Sequence, residues 1–243
     1  MNSRHLLLKL HRAGSITLPA AKATPPNLRK APRVIKLLTH DETEITGSLE
    51  EHQPLVVDMV DTKESLLEFQ SLVAQYHYLS FKRTVGENMK YIIRNRDGKT
   101  LACLLFGSAA WKSKGRDTYI GWDKESRVKG LKLMTNNSRF LIVPWVTIPH
   151  LASNILGIIT KRLSKDWEHY YGHPVFLLET FVDTERYEGS CYKAGNWIKV
   201  GSTAGRGRND LEHLNSASVK DIYLYPLVYN FKDAIKEYLD NKE

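Results

Sequence analysis

The 243 residues are enough to bury a full core, and 42% apolar with 10% aromatic residues excludes a disordered chain. No apolar run approaches the roughly 18 to 20 residues of a membrane span, MNSRHLLLKLHRAG is too short in its apolar stretch for a secretory signal, and Cys103 and Cys191 stand far apart, so membrane and disulfide-framework classes are set aside and a cytoplasmic location is expected. The net charge of +8 lies wholly in the first 40 residues, where Arg4, Lys9, Arg12, Lys22, Arg29, Lys30, Arg33 and Lys36 meet no Asp or Glu, while the remaining 27 basic residues equal the 27 acidic ones.

Such a segment attracts polyanions through counterion release, which makes it either a nucleic-acid arm or a solvated tail without a partner. Leu6, Leu7, Leu8 and Leu10 before Ala13-Gly14 predict a short helix with a glycine stop, and Ile16 to Leu18 a brief extended piece. Three prolines in residues 20 to 32 read as a linker, so residues 1 to 50 are taken as a basic arm and 51 to 243 as the domain.

In that domain Leu55 to Val60 predicts a strand. Asp61-Thr62-Lys63-Glu64 has the form of a capping box for a helix to about Gln75, with Leu66, Leu67, Phe69, Leu72 and Val73 inward. A polar aromatic loop, YHYLSFKRTVGEN, follows. Tyr91 to Ile93 and Leu101 to Phe106 flank Asn95-Arg96-Asp97-Gly98, a strong hairpin signal. Residues 111 to 138 read mostly as an exposed excursion, and Phe140 to Trp145 as a short strand.

From about His150 a long helix is expected, since Leu151, Ile155, Ile158, Ile159, Leu163 and Trp167 recur at helical spacing before Gly172 and Pro174. Val175 to Val182 is apolar enough for a central strand. A short helix over Tyr187 to Ala194, strands at Trp197 to Gly201 and Asp221 to Leu227, and a helix over Phe231 to Leu239 complete a mixed α/β sheet covered on its faces.

The chemistry concentrates in residues 179 to 210. Glu179, Asp183 and Glu185 could hold Mg2+ as in nucleases, although along a strand Glu179 and Asp183 lie about 13 Å apart; the alternative is a buried Glu179 satisfied by backbone or arginine, with Asp183 and Glu185 capping the next helix. Gly205-Arg206-Gly207-Arg208 suits phosphate, because glycines let the backbone approach and guanidinium forks match phosphate oxygens. The proposed sheet order puts Lys199 and Arg139 nearby. Tyr187, Tyr192 and Trp197 can stack on bases or close a core. Cys191 could be a nucleophile, but no histidine is close in sequence, which favours burial. No zinc-type Cys/His spacing, Walker loop or nucleophile elbow is present.

The runs NNSRFLIVPWVTIPHLASNIL, FLLETFVDTERYEGSCYKAGNWIKVGSTAGRGRND and VKDIYLYPL resemble the family that includes DruA of the Druantia anti-phage system, densely over residues 76 to 227. Relatives in that family are found beside or fused to transposase-like domains, and LLLKLHRAGSITLP resembles only the end of the family's winged-helix-like segment, so a short version is expected. The strand order also looks like the GNAT acyltransferase fold. In that fold the cofactor pyrophosphate sits on backbone amides where a strand splays from its neighbour; the equivalent Pro144-Trp145-Val146-Thr147-Ile148-Pro149-His150 has no glycine and two prolines, which argues against acetyl-CoA.

Together these readings imply a GNAT-like mixed α/β domain serving as a nucleic-acid-associated component of an anti-phage or mobile-element system. DNA is the favoured partner, other defence proteins are further partners, and Arg206, Arg208, Lys199, Arg139, Arg29, Lys30 and Arg33 are the contacts. Two alternatives stand. One is an enzyme, either an acyl or aminoacyl transferase near Tyr192 and Cys191 using acetyl-CoA, or a nuclease using Mg2+ on Glu179 and Asp183. The other is a non-catalytic adaptor in a helicase-containing complex.

Overall fold

The computed structural model describes residues 3–19, 35–82, 84–205 and 218–241. The chain forms two compact units, 1–34 and 35–243. The first contains α1 (Ser3–Arg12), which stops where Gly14 takes φ +73. Ile16 to Leu18 carries no strand. The linker of residues 20 to 32 lies outside the described residues, and Arg29, Lys30 and Arg33 lie outside with it.

The second unit runs through β1 (Ile45–Thr46), α2 (Leu49–His52), β2 (Val56–Met59), α3 (Lys63–Tyr76), β3 (Asn88–Arg94), β4 (Thr100–Ser108), α4 (Lys114–Ile120), α5 (Lys124–Gly130) and a 3-10 turn (Leu131–Leu133). It continues through β5 (Met134–Ile142), β6 (Val146–Thr147), α6 (Leu151–Tyr171), β7 (Leu177–Asp183), α7 (Ser190–Ala194), β8 (Ile198–Ser202), β9 (Lys220–Pro226) and α8 (Phe231–Asp240). Seven strands make one sheet in the order β2-β3-β4-β5-β7-β9-β8, and β1 pairs with β6 in a separate parallel ribbon. Within the large sheet β5 and β7 are parallel and every other neighbouring pair is antiparallel. This is the mixed α/β sheet covered by helices that the sequence implied. No helix among the described residues is long and apolar enough to cross a membrane.

Local chemistry explains the legible elements. Asn95 Oδ1 accepts from the amides of Asp97 (3.0 Å) and Lys99 (2.9 Å), and Gly98 at φ +78 completes the turn between β3 and β4. The cap of α3 lies one residue later than expected: Thr62 Oγ1 accepts from Ser65 N at 3.0 Å, and the Ser65 hydroxyl accepts from Thr62 N. Along α6 the buried residues Leu151, Ile155, Ile159, Leu163 and Trp167 follow the expected stripe, and Gly172 at φ +74 ends it. Tyr91 donates to Asp166 of α6 at 2.9 Å, whereas Arg94 and Thr100 reach Glu68 of α3. Helices therefore cover both faces of β3 and β4, and Leu101 to Phe106 are buried without a break.

Two boundaries differ from the sequence reading. Residues 35–50 belong to the main unit, because Leu38 N donates to the buried Ser71 hydroxyl at 2.7 Å and β1 pairs with β6. Residues 111 to 138 are not an exposed excursion; they form α4, α5 and the first half of β5. Ile120, Leu133 and Met134 join Leu177, Leu224, Phe231 and Ile235 in a second core cluster. Their few apolar residues are helped by Arg116, which is 0% exposed. Arg116 Nη1 donates to Glu179 Oε2 at 2.9 Å and to Ala110 O at 2.6 Å, while its Nε and Nη2 donate to Asp117 Oδ1. A charge inside a core demands such pairing, and a charged segment looks exposed until its partner, 63 residues away, is known.

Arg116→Met leaves the Glu179 carboxylate buried without its counter-charge and is expected to cost roughly 3–5 kcal/mol in urea unfolding, with part of the loss recovered when Glu179→Met is added. An unchanged midpoint for the single variant would show that the pair does not hold α4 to the sheet.

Candidate functional site

The parallel pair β5 and β7 stays in register for three residues, Met134 with Leu177, Thr135 with Leu178 and Asn136 with Glu179, and then the strands part. The parting has two causes. Ser138 is an extra residue in β5, since Asn137 faces Phe106 while Arg139 faces Leu105. Tyr192 of α7 fills one side of the gap: its hydroxyl donates to Asn137 Oδ1 at 2.7 Å, and Thr180 Oγ1 donates to Asn137 O at 3.0 Å. The Tyr192 ring packs against Phe140, Trp197 and Tyr223.

Arg139 and the loop after α3 lie beside the gap. After α3 the chain turns sharply, with Ser80 N donating to His77 O at 2.7 Å and Ser80 held at φ +51, a conformation most side chains avoid. That turn points the Ser80 carbonyl at Arg139, whose Nε donates to it at 3.0 Å and whose Nη1 donates to Ser138 O at 2.6 Å. Arg139 is half-buried, burial lowers its proton affinity, and among the described residues no carboxylate pairs with it. Beside it Tyr78 stacks on His77 with centroids 4.9 Å apart, carries Arg186 over its ring at 5.2 Å, and meets Tyr187 at 5.5 Å with a 59° tilt. Burial, and then the nearby Asp183, hold the Tyr78 phenol protonated. Arg186 and Tyr187 reach Tyr78 because their amides donate to Asp183 O (3.1 and 2.9 Å), curling the chain back at the end of β7.

Several sequence candidates occupy different positions from those expected. The strand β7 stays paired with β9 from Leu177 to Asp183, so Glu179 and Asp183 keep their separation of about 13 Å and no turn unites them. Glu179 is spent on Arg116 and the Ala110 amide; burial pushes its carboxyl up, and those two partners pull it down. Asp183 accepts from the Ser218 hydroxyl at 2.8 Å and from Glu185 N at 3.2 Å, and neither it nor Glu185 caps α7, whose N-cap is Gly189 at φ +69. Among the described residues no group of three or more His, Cys, Asp or Glu is placed to hold a metal ion. Tyr192 is only 8% exposed and Cys191 is packed against the core; burial pushes both of their proton affinities up, which leaves a phenol wedge and a protonated thiol. Lys199 is not near Arg139. It sits on the edge strand β8, three strand spacings or roughly 14 Å away, and binds Asp221 at 2.6 Å.

Arg206 and Arg208 lie outside the described residues. The described chain on either side is tied to this end of the sheet, since Thr203 N donates to Lys220 O at 2.8 Å and Ser218 reaches Asp183. In the segment equivalent to a pyrophosphate seat, Val146 N is spent on Val143 O, Leu151 N on Ile148 O, and β6 is paired with β1. Sequence reasoning singles out Tyr187 and Arg139 but not His77, Tyr78 or Arg186. The available signal was two short aromatic words, YHY and TERY, far apart in the chain.

Over residues 9–216 the sequence matches the family described as Druantia protein DruA. The chain belongs to the DruA family. That family is the one indicated by the sequence resemblance, and it places the chain in anti-phage defence. No curated protein matches the DruA-family chain in sequence. Similar solved structures include a variant of spermidine N-acetyltransferase SpeG from Vibrio cholerae, at 7% identity and TM-score 0.46, covering 78% of this chain and 98% of that one. The same enzyme in complex with CoA and spermine matches at 7% identity and TM-score 0.44, over 70% and 92% of the two chains. An N-acetyltransferase from Staphylococcus aureus Mu50 matches at 8% and 0.41, over 71% and 97%. Likeness at this level says nothing about chemistry.

His77 supplies a test of the site's electrostatics. Burial first and Arg139 second push its imidazole down to about 4, and its Nδ1 accepts from Leu79 N at 3.1 Å. Above pH 6.5 the ring is neutral in both folded and unfolded chains. As pH falls from 6.5 towards 4 the unfolded chain binds a proton that the folded one refuses, so the stability that His77 contributes is lost across that window. Urea midpoints of the wild type and His77→Asn, followed from about pH 7 to about pH 4, are expected to converge; a constant gap would show that the ring is not held neutral.

Proposed function

We propose that the chain is a nucleic-acid-associated component of a Druantia-type anti-phage system, with DNA as its favoured partner. The observation that carries this reading is Arg139: a half-buried cation with no acidic partner among the described residues, near a Tyr78 ring that also meets Arg186 and the exposed Tyr187. A guanidinium withdrawn from water without a counter-charge is costly, and an anion seated there offsets the cost. Phosphate is the anion whose geometry fits a fork and whose repetition along a polymer suits the seven basic residues of unit 1–34, which has no acidic residue. The reading invokes neither Mg2+ nor acetyl-CoA. Glu179 is already neutralised, and the amides that could greet a pyrophosphate after β5 are partly spent within the protein. Other proteins of the defence system are further partners under this reading, and a purely structural adaptor is what failure of the following measurement would favour.

Removing residues 1–34, which spares the packing of residues 35–50, is expected to weaken binding to duplex DNA of any sequence. It should also flatten the slope of log affinity against log salt by about 0.9 for each phosphate that is no longer neutralised. Arg206→Ala with Arg208→Ala is expected to lower the slope by about 2 if each arginine binds one phosphate. Absence of binding by the intact protein at about 50 mM salt overturns the proposal in favour of the adaptor.

A further inference from the structure

The mouth of the splay has more than charge. Tyr78 is committed on its faces, with His77 stacked at an interplanar angle of 27° and Arg186 over the ring. Tyr187 is not: it is 53% exposed, and its 59° tilt to Tyr78 means that the two rings do not stack on each other. Tyr78 meets this free ring at 5.5 Å between centroids and stands two residues before Ser80, whose carbonyl accepts from Arg139 Nε at 3.0 Å. A cation without a carboxylate partner among the described residues and an aromatic face free to stack thus stand in one neighbourhood, linked through the Tyr78-to-Ser80 turn. Nothing in that spacing reads a base edge.

We propose that the splay mouth is a site for an unstacked nucleotide, its phosphate on Arg139 and its base on the exposed ring of Tyr187. This rests on the nucleic-acid reading above and sharpens it. Within a duplex each base is already stacked on its neighbours and only the phosphates are offered; a single strand, a frayed end or a gap offers both groups. The N-terminal unit then supplies affinity for any polyanion, while the mouth supplies preference for unpaired strands. Because every base has a flat face, the preference carries no sequence specificity.

The test uses the full chain and three probes of equal length: an oligothymidylate, a duplex, and a single strand with one 2-aminopurine. Intact protein is expected to favour the single strand over the duplex. Tyr187→Ala is expected to weaken single-strand binding about tenfold, the worth of one stacked base, and to leave duplex binding unchanged, while Tyr187→Phe keeps both. Quenching of 2-aminopurine on binding should be lost in Tyr187→Ala and kept in Tyr187→Phe, a readout that a merely structural tyrosine would not move. Tyr187 is exposed, so these variants keep the fold, whereas Arg139→Gln needs a check by circular dichroism because Arg139 also bridges two carbonyls. In a folded Arg139→Gln protein the salt slope on single strands should drop by about 0.7. Equal affinity for single strand and duplex together with a neutral Tyr187→Ala overturns this inference and leaves the nucleic-acid reading standing. No binding of any probe overturns both.

Discussion

The structure depends on the parting of β5 from β7. Two parallel strands that share only three residue pairs must give up ladder hydrogen bonds beyond them, and a protein accepts that loss only when other groups satisfy the freed backbone. Here Thr180 Oγ1 caps Asn137 O, the Asn137 amide donates to Arg139 O, and Arg139 returns donors to Ser138 O and Ser80 O. Tyr192 completes one side as a wedge anchored at its hydroxyl. The other side carries Arg139 and the rings of His77, Tyr78 and Tyr187, placed by the turn at Ser80 and the curl after Asp183.

Two arginines define the contrast between structure and function in this domain. Arg116 is fully buried and has its charge answered by Glu179 and Asp117, with Trp122 under its guanidinium. It is an internal strut that lets a charged segment lie against β8, where Gly115 packs so closely that a Cβ would come within 2.9 Å of Val200 O. Arg139 is half-buried and is answered by carbonyl dipoles, which satisfy hydrogen bonds and leave the net charge in place. Among the described residues no carboxylate answers that charge, and the proposed phosphate contact rests on this difference from Arg116.

The sequence made local elements readable wherever local physics decides them. The hairpin turn at Asn95 to Gly98 and the stripe along α6 depend on interactions within a few residues, and both were legible. The segment 111 to 138 was not, because its burial depends on one ion pair across the fold. The shift of the α3 cap from Asp61 to Thr62 reflects two oxygens that compete one residue apart. At the site, Arg139 and Tyr187 could be singled out by residue type, but their relation to Tyr78 and His77 is made by the loop after α3, which no periodicity announces. The expected nearness of Lys199 to Arg139 was not legible either, because β9 lies between β7 and β8 and puts Lys199 on an outer edge.

The direct question is whether the Arg139 guanidinium receives the phosphate. Its Nη2–H resonances, assigned by comparison with Arg139→Gln and followed by isotope-edited NMR while a short single-stranded oligonucleotide is added, answer it, since Nε–H is already donated to Ser80 O. A saturable shift with the same midpoint as overall binding is the predicted result. A resonance that stays still while the protein becomes saturated would contradict the proposed site.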